Sequence, residues 1–200
     1  QWSGIDNPES WTVSPTTQAD FQDLPDGGWV QGIVGGEFAT VFQERSIKRM
    51  TYVGAPLVFQ FDEIARNRGV AAEVSIANFE TTTFFLDNDG FYALIGGQQL
   101  APIGDQKIDK TFWRDVDQGY LHRITAAIDP INKLYMVSYP GTGSVNGTPN
   151  KLLIYNWTVA RWSQAEVTAE MIYPSLSPGS YTLDSLDAVS GSLGALGFSV

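Results

Sequence analysis

The stretch Lys151-Leu152-Leu153-Ile154-Tyr155-Asn156-Trp157-Thr158-Val159-Ala160-Arg161-Trp162-Ser163 decides the fold class. It opens as a run of aliphatic and aromatic residues, stops at Asn156, and resumes as a second Trp-bearing segment. Such runs suit a pleated strand, because β-branched and aromatic side chains pack well there and Asn marks the turn. Outward from this stretch the same texture recurs at Val34 to Phe42, Met50 to Phe61, Thr81 to Leu86, Phe91 to Ile95, Ile124 to Ile128 and Leu134 to Tyr139. The breaks between them are explicit. Asp87-Asn88-Asp89-Gly90 is expected to be a hairpin tip, since Asp-Gly tolerates the positive φ of tight turns. Asp129-Pro130-Ile131-Asn132-Lys133 is a second tip, and Pro140 to Asn150, with three Gly and two Pro, is a loop. The helical hint in Phe61 to Ala72 is weakened by Asn67, Arg68 and Gly69, and predicts one helical turn in a loop.

The strands fall into a repeat. Central strands begin near Phe38, Phe91, Leu134 and Leu193, at spacings of about 53, 43 and 59 residues. An irregular period of about 40 to 60 residues is that of four-stranded propeller blades carrying loop insertions. Tyr155-Asn156 followed by Trp157 resembles the kelch-type pattern, in which a flat ring wedges between adjacent blades. The sequence therefore predicts an all-β chain of antiparallel four-stranded β-propeller blades. The blade-like units span about 31–79, 80–123 and 124–173, with an incomplete unit from 181. A blade cannot bury both faces alone, so each needs neighbours, and three or four blades barely close a ring. The expectation is a partial or truncated propeller; an antiparallel sandwich with long hairpins is the alternative. The start at Gln1, without a Met or a signal pattern, fits a piece of a longer chain.

Composition removes several kinds of chemistry. The 200 residues are 43% hydrophobic and 17% charged, and 12 basic against 22 acidic residues give a net charge of −10. So acidic a chain is not expected to hold nucleic acid on a broad positive surface. No cysteine is present, which removes disulfides, thiolate nucleophiles and cysteine metal sites, and a single histidine removes a multi-histidine site within one chain. No apolar run approaches the roughly 20 residues of a membrane helix, so no membrane insertion is expected.

The remaining candidates are modest. Asp87 and Asp89 resemble the start of a calcium loop, but no Glu stands at the required later position. Asp105, Asp109, Asp115 and Asp117 surround Phe112-Trp113-Arg114. Carboxylates beside an exposed Trp can hold a sugar, as in a glycosidase cleft; the plainer reading is a solvated loop anchored by one aromatic. A catalytic His122 would need a nucleophile and an orienting acid in space; Ser and Asp are common here, so their presence says nothing, and His122 is read as a structural or surface histidine. Gly35-Gly36 and Gly96-Gly97 lack the Gly-Lys-Ser or Gly-Lys-Thr of a phosphate loop and predict turns or close backbone approach. Arg45, Lys48 and Arg49 form the main basic cluster, read as an ion-pair edge or a contact with an acidic neighbour. No residue is assigned a catalytic, cofactor or metal role.

Three segments carry a family resemblance: Trp2-Ser3 with Asp6-Asn7-Pro8-Glu9-Ser10-Trp11, Gly35-Gly36 leading to Val41 through Met50, and Leu183 through Ser192. Together they resemble the β-propeller hub, nozzle or packaged-DNA stabilisation proteins of short-tailed phages. The resemblance implies a non-enzymatic virion structural protein located in the tail. Its copies would form a homo-oligomeric ring, typically sixfold, below the portal and adaptor, with DNA passing through the centre without specific binding. Trp29 and Trp113, taken as exposed aromatics, and Arg45, Lys48 and Arg49 are then the candidates for subunit contacts. The alternative is a carbohydrate-binding or glycoside-acting propeller.

Overall fold

A computed structural model describes residues 1–174 of the chain. Among them the protein is all-β, with twelve strands in three four-stranded antiparallel sheets. The first sheet holds β1 (Val30–Val34), β2 (Ala39–Gln43), β3 (Ser46–Gly54) and β4 (Val58–Arg66). The second holds β5 (Ala77–Phe79), β6 (Thr82–Asp87), β7 (Gly90–Ile95) and β8 (Gln99–Pro102), and the third β9 (Thr125–Asp129), β10 (Leu134–Tyr139), β11 (Lys151–Asn156) and β12 (Arg161–Glu166). Every sheet is a meander in chain order, the layout that short hairpin connections favour.

Both sequence-predicted tips are present. Asn88 and Asp89 alone separate β6 from β7, and Asp129 Oδ1 accepts the Ile131 and Asn132 amides at 2.9 and 3.1 Å. Four expectations need correction. The segment Val34 to Phe42 is two strands, divided by a turn after Val34. Met50 to Phe61 is also two, because the chain reverses between Gly54, at φ +81°, and Val58. No helical turn forms in Phe61 to Ala72; β4 runs to Arg66, and the first helical turn on this side is Glu73–Ser75. The stretch read as a solvated loop around Phe112 contains a helix, α1 (Asp109–Asp115). The strand expected over 192–200 and the unit from 181 lie outside the described residues.

Side-chain alternation along β6 and β7 explains how the sheets sit. Successive strand residues face opposite sides. Phe84, Leu86, Phe91 and Ala93 share a core with Tyr135, Val137, Tyr139, Leu153 and Tyr155 of the third sheet. Phe85 and Leu94 share a second core with Phe42 and Ile47 of the first sheet. Cross-strand pairing Phe84 with Ala93 and Phe85 with Tyr92 keeps each set on its own face. The second sheet is therefore covered on both faces, one by each neighbour. Phe42 meets Phe85 at 5.2 Å between centroids and Phe84 stacks on Tyr135 at 5.1 Å. Burying each such ring stabilises the fold by about 1.5–3 kcal/mol.

Polar ties reinforce the stack. Tyr135 Oη donates to the Ser75 carbonyl at 2.8 Å, and the Ser75 hydroxyl accepts the Leu86 amide at 3.0 Å. Trp162 Nε1, on β12, donates to the Ile103 carbonyl just past β8 at 2.9 Å. The far face of the first sheet is met by the N-terminal segment. Trp2 packs edge-on against Phe59 at 5.0 Å, and Gln43 Nε2 donates to the Leu24 and Gly28 carbonyls at 2.9 and 2.8 Å.

Candidate functional site

The acidic stretch around Trp113 is organised by α1, which straps the second sheet to the third. Phe112 is fully buried and meets Phe91 of β7 at 4.9 Å and Tyr139 of β10 at 5.0 Å. The two carboxylates at the helix ends serve different sheets. Asp109 Oδ1 accepts the Phe91 amide at 3.1 Å. Burial pushes its carboxyl up to about 6, against the lowering effect of that hydrogen bond, and Asp105 and Asp89 add repulsion. Asp115 accepts the Tyr139 hydroxyl at 2.9 Å, the Lys151 ammonium at 2.9 Å and the Thr142 amide at 3.2 Å. Burial pushes its carboxyl up, but bonds from Lys151, Thr142 and Tyr139 outweigh this and hold it below the usual range. Both groups are engaged in joining sheets. Trp113 is not an exposed aromatic: it is half-buried against the core, edge-on to Phe112 at 5.1 Å.

The charge of the Asp87–Asp89 tip is partly offset by Arg68 of the same chain. Arg68 Nη1 lies 3.1 Å from Asp87 Oδ2 and also pairs with Asp89, while its guanidinium sits 4.8 Å over the Tyr92 ring. The hydrogen bond that Arg68 donates to Asp89 outweighs burial and raises Arg68 above its usual range. Asp87 is raised, mainly by burial. Among the described residues no three His, Asp or Glu side chains gather as a metal-binding group.

The basic cluster separates. Lys48 is 9% exposed and faces Glu63 across the first sheet at 3.7 Å. Arg49, on the other face of β3, lies 3.5 Å from Asp62 and 5.7 Å from the Phe38 ring. Only Arg45 is exposed, beside Asp26, Glu63 and Arg66 in a polar recess. Trp29, just before β1, stands out at 80% exposure, followed by Val30 at 52% and Ile33 at 63% on β1, the outer strand of the first sheet among the described residues. His122 is exposed in the 3-10 turn Gln118–Arg123. The two Gly-Gly pairs line one recess between the first and second sheets. There Gly97, at φ +63°, lies so close to the Phe38 ring that a Cβ would fall 2.2 Å from it.

A cleft of about 410 Å³ lies between the second and third sheets. Its walls include Phe79, Phe84, Tyr155 and Trp157, with Thr82 and Lys107 among the polar contributors. Trp157 stacks on Phe84 at 5.3 Å and meets Phe79 at 5.4 Å. Lys107 Nζ donates to the Ala160 carbonyl at 3.2 Å, tying the β11–β12 turn to the segment after β8. The Tyr155-Asn156-Trp157 run pointed to an inter-sheet ring. Its facing partners belong to β5, β6 and the segment after β8, so sequence spacing alone could not assemble them.

A comparison with protein-family models finds no match, and neither does a comparison with curated proteins.

Proposed function

We propose that the chain is an assembly module without catalytic activity: consecutive β-propeller blades of a ring protein in the tail of a short-tailed phage. The ring serves as hub or nozzle below portal and adaptor and gives DNA a passage. The observation that carries this reading is the second sheet, covered on one face by the first and on the other by the third. Serial stacking of meanders, each dependent on its neighbours, is the arrangement a propeller requires.

Three further features support it. Three acids whose ionisation is altered by their surroundings, Asp87, Asp109 and Asp115, hold backbone or neighbouring-sheet partners and so act as structural ties. The net charge of −10 per copy would make a ring strongly acidic. DNA in its passage would be repelled at short range, since salt screens only beyond about 8–10 Å. Trp29, Val30 and Ile33 offer an apolar edge for a neighbouring copy, in a head-to-tail contact closed by rotation.

Negative-stain imaging of the purified protein tests the reading: rings with a central opening are expected. The carbohydrate alternative predicts isolated particles whose melting temperature rises with oligosaccharide, and that result would overturn the proposal.

A further inference from the structure

An outer strand of a sheet presents a row of backbone amides and carbonyls, and folds guard such edges with charge, proline or shortness. β1 has none of these guards. Val30–Val34 contains no charged residue and no proline, and Trp29, Val30 and Ile33 are exposed along it. The register shift between Val30 and Gly32 leaves Val30 and Ile33 on one face, paired with Gln43 and Val41. A carboxylate marks each end: Glu37 in the turn after Val34, and Glu44 against Gly28 before Trp29. Residues 1–44 hold none of the 12 basic residues, so positive charge opposite this edge favours docking.

Among the described residues the other outer strands are β4, β5, β8, β9 and β12. β4 is guarded by Asp62, Glu63 and Arg66. β5 and β9 lie against each other, and β8 is four residues long and ends in Pro102. β1 of a second copy, paired antiparallel, would bring Glu37 of each chain to Glu44 of the other, and like charges across a ladder destabilise it. β12 differs. It is exposed except at Trp162, and it begins at Arg161, with Lys107 held at the same end by the Ala160 carbonyl at 3.2 Å. Neither Arg161 nor Lys107 forms an ion pair among the described residues. Glu166, at the far end, lies opposite Lys151. Trp162 packs inward on Phe91 and Tyr155, so alternation puts the small side chains of Ser163 and Ala165 on the outer face.

We propose that β12 of one copy pairs antiparallel with β1 of the next, joining the third sheet of one chain to the first sheet of its neighbour. That sense sets Arg161 and Lys107 beside Glu37, and places Trp29, Val30 and Ile33 next to Ser163 and Ala165. The inference rests on the assembly reading above and supplies the neighbour's half of the contact. The contact is heterologous, so it propagates head to tail.

Two blocking variants test it by analytical ultracentrifugation. Ile33→Lys puts a charge on the β1 edge and Ala165→Lys puts one on β12. Both positions are exposed, so circular dichroism and urea midpoints should match wild type. Each variant alone should be monomeric at about 100 µM, above the micromolar Kd of a transient contact. Mixed, the two should give a 1:1 dimer and nothing larger, because one intact β1 and one intact β12 remain. Arg161→Glu should weaken wild-type association about tenfold, and adding Glu37→Arg should recover it. No dimer in the mixture, a blocked variant that self-associates as wild type does, or an unaltered Arg161→Glu would each overturn the proposal. Wild-type fibres with the mixed dimer intact would overturn ring closure alone, whereas rings that survive both blocks would overturn this contact alone.

Discussion

The Asp115 carboxylate, at the end of α1, accepts a 2.9 Å hydrogen bond from the hydroxyl of Tyr139, the last residue of β10. The same carboxylate meets the Lys151 ammonium at the start of β11, so one acid anchors the strap to two strands of the third sheet. Asp115→Asn is expected to cost about 1.5–3 kcal/mol, the range for hydrogen bonds to a charged group, in urea unfolding at pH 7. Because the folded carboxyl lies below its ordinary value, its contribution is present above the unfolded pKa of about 3.9 and is lost as pH falls through the folded value. The wild type should therefore lose its advantage over Asp115→Asn in acid.

Asp109 behaves in the opposite sense. Its carboxyl is pushed up to about 6 by burial, so the folded state holds its proton more tightly than the unfolded chain. Stability from this group is greatest below about pH 4, the unfolded carboxyl value, and falls as pH rises to about 6. Asp109→Asn keeps an acceptor for the Phe91 amide and removes the ionisation. It should be more stable than wild type by about 1–2 kcal/mol at pH 7, with the gap closing at about pH 4. Urea midpoints across this range give the comparison; a constant gap would contradict the assigned burial of Asp109.

Phe38 and Gly97 approach across the first and second sheets with no room for a Cβ, and Gly97 also has φ +63°. Gly97→Ala is expected to destabilise by about 1–3 kcal/mol. Replacing Phe38 by Ala in the same chain should recover the steric part and leave the smaller backbone part. Chemical denaturation of the two single variants and the double variant separates these contributions.

Much of the strand pattern was legible because its signals are local. The Asn88-Asp89 tip follows from turn chemistry, and the sheet-forming runs follow from clustered β-branched and aromatic residues. The reversal at Gly54 was hidden by apolar residues on both sides, Tyr52-Val53 before it and Leu57 to Phe59 after it, which read as one strand. The helix α1 was hidden by its length: Asp109 through Asp115 is under two full turns, and Ile108 gives no side-chain cap, so neither periodicity nor a start signal marks it. The cleft was legible only through Trp157. Lys107, Phe79 and Thr82 reach it through tertiary packing, and nothing local distinguishes them.

The stacking order itself predicts a pattern of coupling. Phe42 and Phe85 share one core, whereas Phe84 belongs to the other. Phe→Leu replacements at each should cost about 1–2 kcal/mol. A double-mutant cycle should show coupling of at least about 0.5 kcal/mol for Phe42 with Phe85, and about zero for Phe42 with Phe84. Equal coupling would mean that the two faces are not separate.

Mass photometry over a range of protein concentrations tests the ring proposal most directly. The account predicts a discrete closed oligomer, weakened when the exposed Trp29 is replaced by Ser. A particle that keeps the 21.9 kDa mass of one chain at every concentration would contradict it.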